Sequence, residues 1–314
     1  MSVFSVIIPN WNGKHLLGPC LDSLLRSDFP HFEVIVVDNG SADGSQQFLK
    51  DHYPQIKVIE LDHNYGFARA CNEGIKVSQA DLVCLLNNDV EVDVRWISEL
   101  KAGMDRHPDC GMGTSKMLFH GQRDLIYNAG DVFSIECKGG GRGLGEKDVG
   151  QYENEQFVFG ACAGAGVYRK KMFRDIGVFD EDFFIFSEDV DFNLRANYHG
   201  YKCIYIPKAK VYHYGTATVG FHSDWHVSLF ARNDLFVLIK DYGFKEFIRN
   251  IGSIVQARFR LIRETARSGQ GLVVFKAWWS FMRHFLSMSK KRMVLRKRIR
   301  LSFEHFHYLV QKGS

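Results

Sequence analysis

Four short runs of apolar and β-branched residues open the chain: Phe4–Pro9, Phe32–Asp38, Lys57–Leu61 and Leu82–Leu86. They begin 25–28 residues apart. Helix-like segments at about 14–26, 43–51 and 66–77 separate them, and another follows at 93–106. Parallel strands need a crossover of a dozen or more residues, so this spacing predicts βαβα units. Runs such as Val34-Ile35-Val36-Val37 are apolar at every position. That suits a sheet covered on both faces. The predicted fold is α/β, a doubly wound and mostly parallel sheet.

Ligands of such sheets sit beyond the carboxyl ends of the strands. Those ends are polar here. They read Pro9-Asn10-Trp11-Asn12-Gly13, Asp38-Asn39-Gly40-Ser41, Asp62-His63-Asn64-Tyr65-Gly66 and Asn87-Asn88-Asp89. Each alone is ordinary turn chemistry. Four of them delivered to one edge suggest a binding site.

Residues 108–160 are less regular. Gly139-Gly-Gly-Arg-Gly-Leu-Gly145 reads as a mobile loop, a cover for a ligand or a flexible connection. From Phe183 the chain turns aromatic and acidic. Ser187 is the expected N-cap of a helix with Glu188 and Asp189 in its first turn. Phe192 and Ala196 should point inward. A short strand at Lys202–Ile206 leads through Pro207 to Val211-Tyr212-His213. In the tail, Phe275, Trp278, Trp279, Met282 and Leu286 recur with helical spacing. Lys276, Arg283, Lys290 and Lys297 follow every seven residues beside them.

Charge changes that last picture. The 314 residues carry +4 overall, yet residues 251–314 hold fourteen Lys/Arg against two Asp/Glu, a net of +12. The first 250 residues therefore carry −8. A basic tail on an acidic body suggests an anionic partner, lipid or nucleic acid, or else a solvated helix face. The acidic body argues against nucleic acid. The apolar face edged with basic residues over 271–300 fits an anionic membrane surface, or a helix packed on the main domain. Seven scattered cysteines without a C-x-x-C pair argue against a disulfide framework or zinc site and for a reducing compartment. The N-terminus has no basic n-region, and no apolar run reaches the ~18–20 residues of a membrane span. The expected location is cytoplasmic, peripheral on the inner face of the plasma membrane.

The strand-end groups suit a sugar nucleotide. Asp38 could accept the imide N–H of a pyrimidine. Asp89 could hold a divalent cation, with Asn87 and Asn88 as amide donors. Glu188, Asp189 and Asp191 crowd one helix start, where mutual repulsion raises carboxyl pKa values and a general base can be found. His213 could be a metal ligand or a structural histidine.

Together these segments resemble glycosyltransferase family 2, inverting enzymes with a GT-A fold, and most closely its rhamnosyltransferase-like branch. Val6-Ile-Ile-Pro-Asn-Trp-Asn-Gly13 looks like the opening strand, and Val36-Val-Asp38-Asn-Gly-Ser41 like the base-binding segment. Asn64-Tyr-Gly66-Phe-Ala-Arg69-Ala-Cys-Asn72-Glu-Gly74 is similar to the nucleotide-side helix, and Leu85-Leu-Asn87-Asn88-Asp89 occupies the D-x-D position. Gly177-Val-Phe-Asp180 through Phe184, then Glu188-Asp189-Val-Asp191-Phe192, looks like the acceptor and base segment. Pro207 through His213 resembles the strand ending in a metal-ligand histidine.

The resemblance implies roles. Asp189 is the general base. Glu188 and Asp191 touch the acceptor or brace the base. Pro9, Asn10, Trp11, Asp38, Asn64, Gly66, Arg69, Asn87 and Asn88 bind the nucleotide sugar. Asp89 and His213 bind a divalent cation, Mg²⁺ or Mn²⁺. The implied reaction moves a hexose or deoxyhexose, rhamnose favoured, from a dTDP- or UDP-sugar to a glycan or lipid-linked glycan in cell-surface polysaccharide synthesis. Asn87 departs from the pattern, since it replaces the first D-x-D carboxylate and should loosen metal dependence. The expected catalytic domain spans 1–220, with a nucleotide half to about 106 and an acceptor half from 107, followed by a basic helical region at 221–314. The alternatives are a sugar-phosphate nucleotidyltransferase and a non-catalytic nucleotide- or glycan-binding module.

Overall fold

The computed structural model describes residues 4–215, 223–305 and 307–311. All four predicted early strands form, each within one residue of its expected bounds: β1 (Phe4–Asn10), β2 (Phe32–Asn39), β3 (Lys57–Leu61) and β4 (Leu82–Leu86). They pair in parallel in the order β3-β2-β1-β4. The crossovers are α1 (Lys14–Leu25), α2 (Ser45–His52) and α3 (Phe67–Val77), and α4 (Trp96–Arg106) follows the short β5 (Val90–Val92). Alternating side chains enter two different cores. Val6 and Ile8 face one, with Val34, Val36, Cys84 and Leu86. Ile7 faces the other, with Ile35, Val37, Val83 and Leu85. This double burial is why the strands carry no polar alternation.

The second half of the sheet is mixed. The chain adds β6 (Cys110–Phe119), β7 (Ile126–Asn128), a hairpin of β8 (Asp131–Ser134) and β9 (Gly139–Gly141), β10 (Gln156–Val158) and β11 (Ala165–Arg169). β11 inserts antiparallel between β4 and β6. After α5 (Lys170–Ile176) and α6 (Glu188–Tyr198) comes β12 (Lys202–His213), parallel to β6. The segments read separately at 202–206 and 211–213 are one strand. Its ladder shifts register between Ile206 and Lys210, around Pro207, which lacks an N–H to donate. The Gly139–Gly145 segment is only partly a loop, since its first three residues pair with β8.

Three helices complete the chain before the short β13 (Val310–Gln311): α7 (Asp224–Lys240), α8 (Phe244–Arg267) and α9 (Gly271–Arg296). Phe236, Ile254, Phe281 and Met288 share a core with Phe133, Phe159, Phe183, Val190 and Leu194. The helices thus pack on α6 and the β8 hairpin. The expected boundary at 220/221 lies outside the described residues. The inward face of α9 is Val274, Ala277, Phe281, Met288 and Leu295, a second apolar stripe beside the one noted in the sequence.

Candidate active site

The carboxyl ends of β1 and β4, the start of α6, the end of β12 and the start of α7 surround one cavity of about 510 Å³. That lies within the roughly 300–1,000 Å³ of small-molecule pockets. Four carboxylates line it, Asp89, Asp131, Glu188 and Asp189, and among the described residues no lysine or arginine does.

The nucleotide-side wall is a relay of amides. Asn88 Nδ2 donates to Asn10 Oδ1 at 2.8 Å, and Asn10 Nδ2 donates to Asp38 Oδ2 at 2.9 Å. Asp38 Oδ1 accepts from the Ser41 amide and Gln46 Nε2. Asp38 is fully buried, and Asn10 rather than Asp38 borders the cavity. Asp38, expected to read the base, thus stands behind the Asn10 amide that borders the cavity. Gly13 makes room for the relay: a Cβ there would come within 2.2 Å of Asn88 Nδ2. Asn64 and Gly66 also line the cavity, with Asn64 Oδ1 accepting from the Gly66 amide and Asn39 Nδ2. Pro9, Trp11 and Asn87 complete this wall. Arg69 does not reach it. Its guanidinium lies 4.2 Å over the Tyr65 ring and pairs with Glu181 and Glu73 at 3.8 and 4.0 Å.

Asp89 and His213 come from segments far apart in the sequence. β5 runs antiparallel to β12 with Val90 opposite His213, which sets His213 beside Asp89. His213 Nε2 lies 3.2 Å from Asp89 Oδ1, and both side chains are buried. The Asn87 side-chain oxygen is buried without a hydrogen-bond partner, in the same cavity. A carboxylate, an imidazole and an orphaned amide oxygen fit a divalent cation. The imidazole favours Mn²⁺ over Mg²⁺, which prefers oxygen ligands.

Opposite stand the α6 carboxylates. Burial pushes the Asp189 carboxyl above the usual range, against the pull of the Val190 and Ala163 amides. Burial and the neighbouring Asp189 charge push Glu188 and Asp131 up much further. Burial and mutual repulsion thus oppose the ionisation of all three together. One Glu188 oxygen is buried without a hydrogen bond. Asp191 sits differently. It is fully buried, and burial alone would raise its pKa, but Arg195 and Lys240 hold it well below the usual range. Arg195 Nη2 lies 2.7 Å from Asp191 Oδ2, and Lys240 clasps the other oxygen. Asp191 braces the helix and does not line the cavity. Ser187 precedes α6 in a left-handed conformation, φ 63°, and its hydroxyl makes no cap.

Several cavity residues went unnoticed in the sequence. Trp225, His226 and Phe230 come from α7. Trp11 and Trp225 lie 6.3 Å apart and Trp225 meets Phe184 at 6.0 Å, giving an aromatic rim. The segment Phe184-Ile185-Phe186-Ser187 holds three residues at positive φ, a strained arrangement for side chains this bulky. Asn233 of α7 pins it. Its single amide nitrogen lies 2.7–2.9 Å from the carbonyls of Phe183, Ile185 and Phe186. From the other side the Ala68 amide donates to Phe184 O, and Gly66 leaves space that a Cβ, 2.5 Å from that oxygen, would remove. Asn233 lies between Arg232 and Asp234, where the local sequence gives no signal of this role.

The chain is similar to known proteins. The model of "Glycosyl transferase family 2" matches residues 5–177, more than half of the chain. The O-antigen biosynthesis protein RfbC of Myxococcus xanthus is 28% identical over 224 residues, 68% of this chain and 17% of that one. The N-acetylglucosaminyl-diphospho-decaprenol L-rhamnosyltransferase of Mycobacterium tuberculosis is 25% identical over 241 residues, 66% of this chain and 74% of that one. The chain spans 17–51% of the length of the first curated relatives it matches. Among solved structures, the mannosyltransferase PcManGT from Pyrobaculum calidifontis, in complex with GDP-Man and Mn²⁺, superimposes with a TM-score of 0.56. The two are 14% identical over 94% of this chain and 85% of that one, a likeness of fold. With six motifs in order, a GT-A sheet and the cavity at its carboxyl edge, the chain belongs to glycosyl transferase family 2.

Proposed function

We propose that the chain is an inverting glycosyltransferase that moves a hexose or deoxyhexose, rhamnose favoured, from a dTDP- or UDP-sugar to a glycan or lipid-linked glycan in cell-surface polysaccharide synthesis. The observation that carries the reading is that one cavity joins the Asp89–His213 pair to the ionisable Asp189. Similarity to the O-antigen biosynthesis protein of Myxococcus and the rhamnosyltransferase of Mycobacterium supports the polysaccharide and rhamnose parts.

The cavity's own charge is negative, so a diphosphate enters it with a cation. Asp89 and His213 would hold that ion, with Asn87 beside them, and it would supply positive charge to the leaving diphosphate. Asn88, held through Asn10 by Asp38, turns its second Nδ2–H to the nucleotide. Trp11 and Trp225 give flat apolar faces. Asp189 accepts the proton of the acceptor hydroxyl as that oxygen attacks the anomeric carbon. The bond from that carbon to the diphosphate breaks on the opposite face, so configuration inverts. Glu188, whose carboxyl burial pushes up, stands beside Asp189 to meet the acceptor.

The test is a thermal-shift screen of nucleotide sugars with and without Mn²⁺, followed by turnover with the stabilising donor. A ligand at a hundred times its Kd should stabilise the fold by about 2.7 kcal/mol. No stabilisation by any nucleotide sugar with Mn²⁺ would reject the donor assignment. Binding without transfer or donor hydrolysis would favour the non-catalytic module.

A further inference from the structure

Helices α8 and α9 bury one face and leave another bare. Thirteen of the 21 large hydrophobic side chains exposed among the described residues lie on these two helices. On α8 they are Phe244, Ile248, Ile251, Val255 and Phe259, spaced to follow one face. On α9 the matching stripe is Leu272, Phe275, Trp279, Met282 and Leu286. Trp279 and Leu286 are each 71% exposed, and Phe259 is 68% exposed. Scattered exposed hydrophobics need no explanation, but continuous stripes mark contact surfaces.

Each stripe has a basic border. Lys276, Arg283 and Lys290 are exposed and recur every seven residues. A heptad drifts only about 20° around a helix, so the three stay along one edge of the α9 stripe. On α8, the exposed Lys245, Arg249, Arg263 and Arg267 fall together on one side of the stripe. Glu246, one of the two acidic residues on these helices, is buried, which leaves Glu264 as the exposed acid. Among the described residues no helix is long and apolar enough to cross a membrane.

We propose that α8 and α9 form a docking surface for an anionic lipid bilayer, the apolar stripes entering the interface and the basic borders meeting headgroup phosphates. Charge complementarity selects this occupant. A second copy of the chain would bring the same basic rows against each other in a two-fold contact, and the core of a protein interface is depleted in charge. Phe and Trp at the outer face, with long basic stems beside them, are the composition of an interfacial helix. The inference is independent of the sugar-transfer reading, because no residue it uses lines the cavity.

The experiment is flotation of the full chain with vesicles of phosphatidylcholine alone or with phosphatidylglycerol added. Binding is expected to the anionic vesicles, with at least a tenfold fall between low and high salt. Two variants separate the contributions: Phe275→Ser/Trp279→Ser/Leu286→Ser, and Lys276→Gln/Arg283→Gln/Lys290→Gln. Each should weaken binding at least tenfold with an unchanged melting temperature, since the altered side chains are exposed. Wild-type protein that ignores anionic vesicles, or binding untouched by both variants, would overturn the proposal. So would a wild-type dimer that the serine variant converts to a monomer while vesicle binding persists. A variant with a lowered melting temperature is replaced by the single change Trp279→Ser, for which a blue shift of indole fluorescence on anionic vesicles should shrink.

Discussion

Under the proposed function the cavity has a nucleotide wall and an acceptor wall, and the two are built by opposite strategies. The nucleotide wall is made where strands stop: Asn10, Asn88 and Asp89 each sit within a few residues of a parallel strand's end, and one amide relay anchored on Asp38 orients the first two. The acceptor wall is made by tertiary clamping. Its strained segment Phe184–Ser187 has little regular structure and is held by Asn233 from α7 and by the start of α3. A rigid sheet edge positions groups with local geometry, whereas a strained loop keeps its shape only while its clamps hold.

That contrast can be broken or sharpened by experiment. The largest effect is expected from Asp189→Asn, which should lower transfer by roughly 10²–10⁴-fold while nucleotide binding, read by thermal shift, persists. Near wild-type turnover would remove the base assignment. Next comes Lys240→Ala, which strips one partner from the buried Asp191. Breaking a buried pair costs about 3–5 kcal/mol, so chemical denaturation should show a fall of that order. Asn233→Ala frees three carbonyls from their shared donor, with a stability cost of about 1–3 kcal/mol. Its distinguishing sign is kinetic: kcat falls and the donor KM stays, because the clamp serves the acceptor wall. A larger change in donor KM than in kcat would show that the two walls are not separable. The smallest effect is a displacement. Asp189 must be ionised to act, and burial raises its pKa. Activity should therefore be lost as pH falls at a point above the ordinary aspartate range, and a pH–rate profile with its acid limb near pH 4 would contradict this.

The stability counterpart has two opposed signs. Asp191 is held low by Arg195 and Lys240, so its contribution is present above the unfolded aspartate pKa and is lost as pH falls through the depressed folded value. Glu188 and Asp131 are held high. They cost stability as pH rises from their unfolded values toward their raised folded ones.

Much of the nucleotide wall was legible because its residues lie at the ends of strongly apolar runs, where periodicity and turn chemistry agree. Asp89 and His213 were legible only as separate candidates. The antiparallel pairing of β5 with β12 that joins them is a register, and register is not written locally. Asp38 was identified as important, but its burial behind Asn10 follows from packing. That Arg69 turns to Tyr65 was not legible, because a helix position does not say which way a long side chain turns. The α7 residues were invisible for a related reason. Trp225 and Asn233 sit far along the chain from everything they touch, on a helix whose pattern speaks only of burial. The stripe on α9 was seen, while the second stripe that fastens the helix to the body was not.

Lys291 on α9 is clasped by Asp180 and lies 2.8 Å from Asp182. Asp180 in turn takes Lys240, which also holds Asp191 on the helix of the base. The helix carrying the bare outer stripe is thus a strut with its other side bolted to the residues just before the Phe184–Ser187 segment. If a bilayer grips Trp279 and Asp189 is the proposed base, that strut would also set the height and tilt at which Asp189 meets an acceptor hydroxyl. Reach, rather than affinity alone, would then decide which sugar on a growing glycan is offered to the cavity.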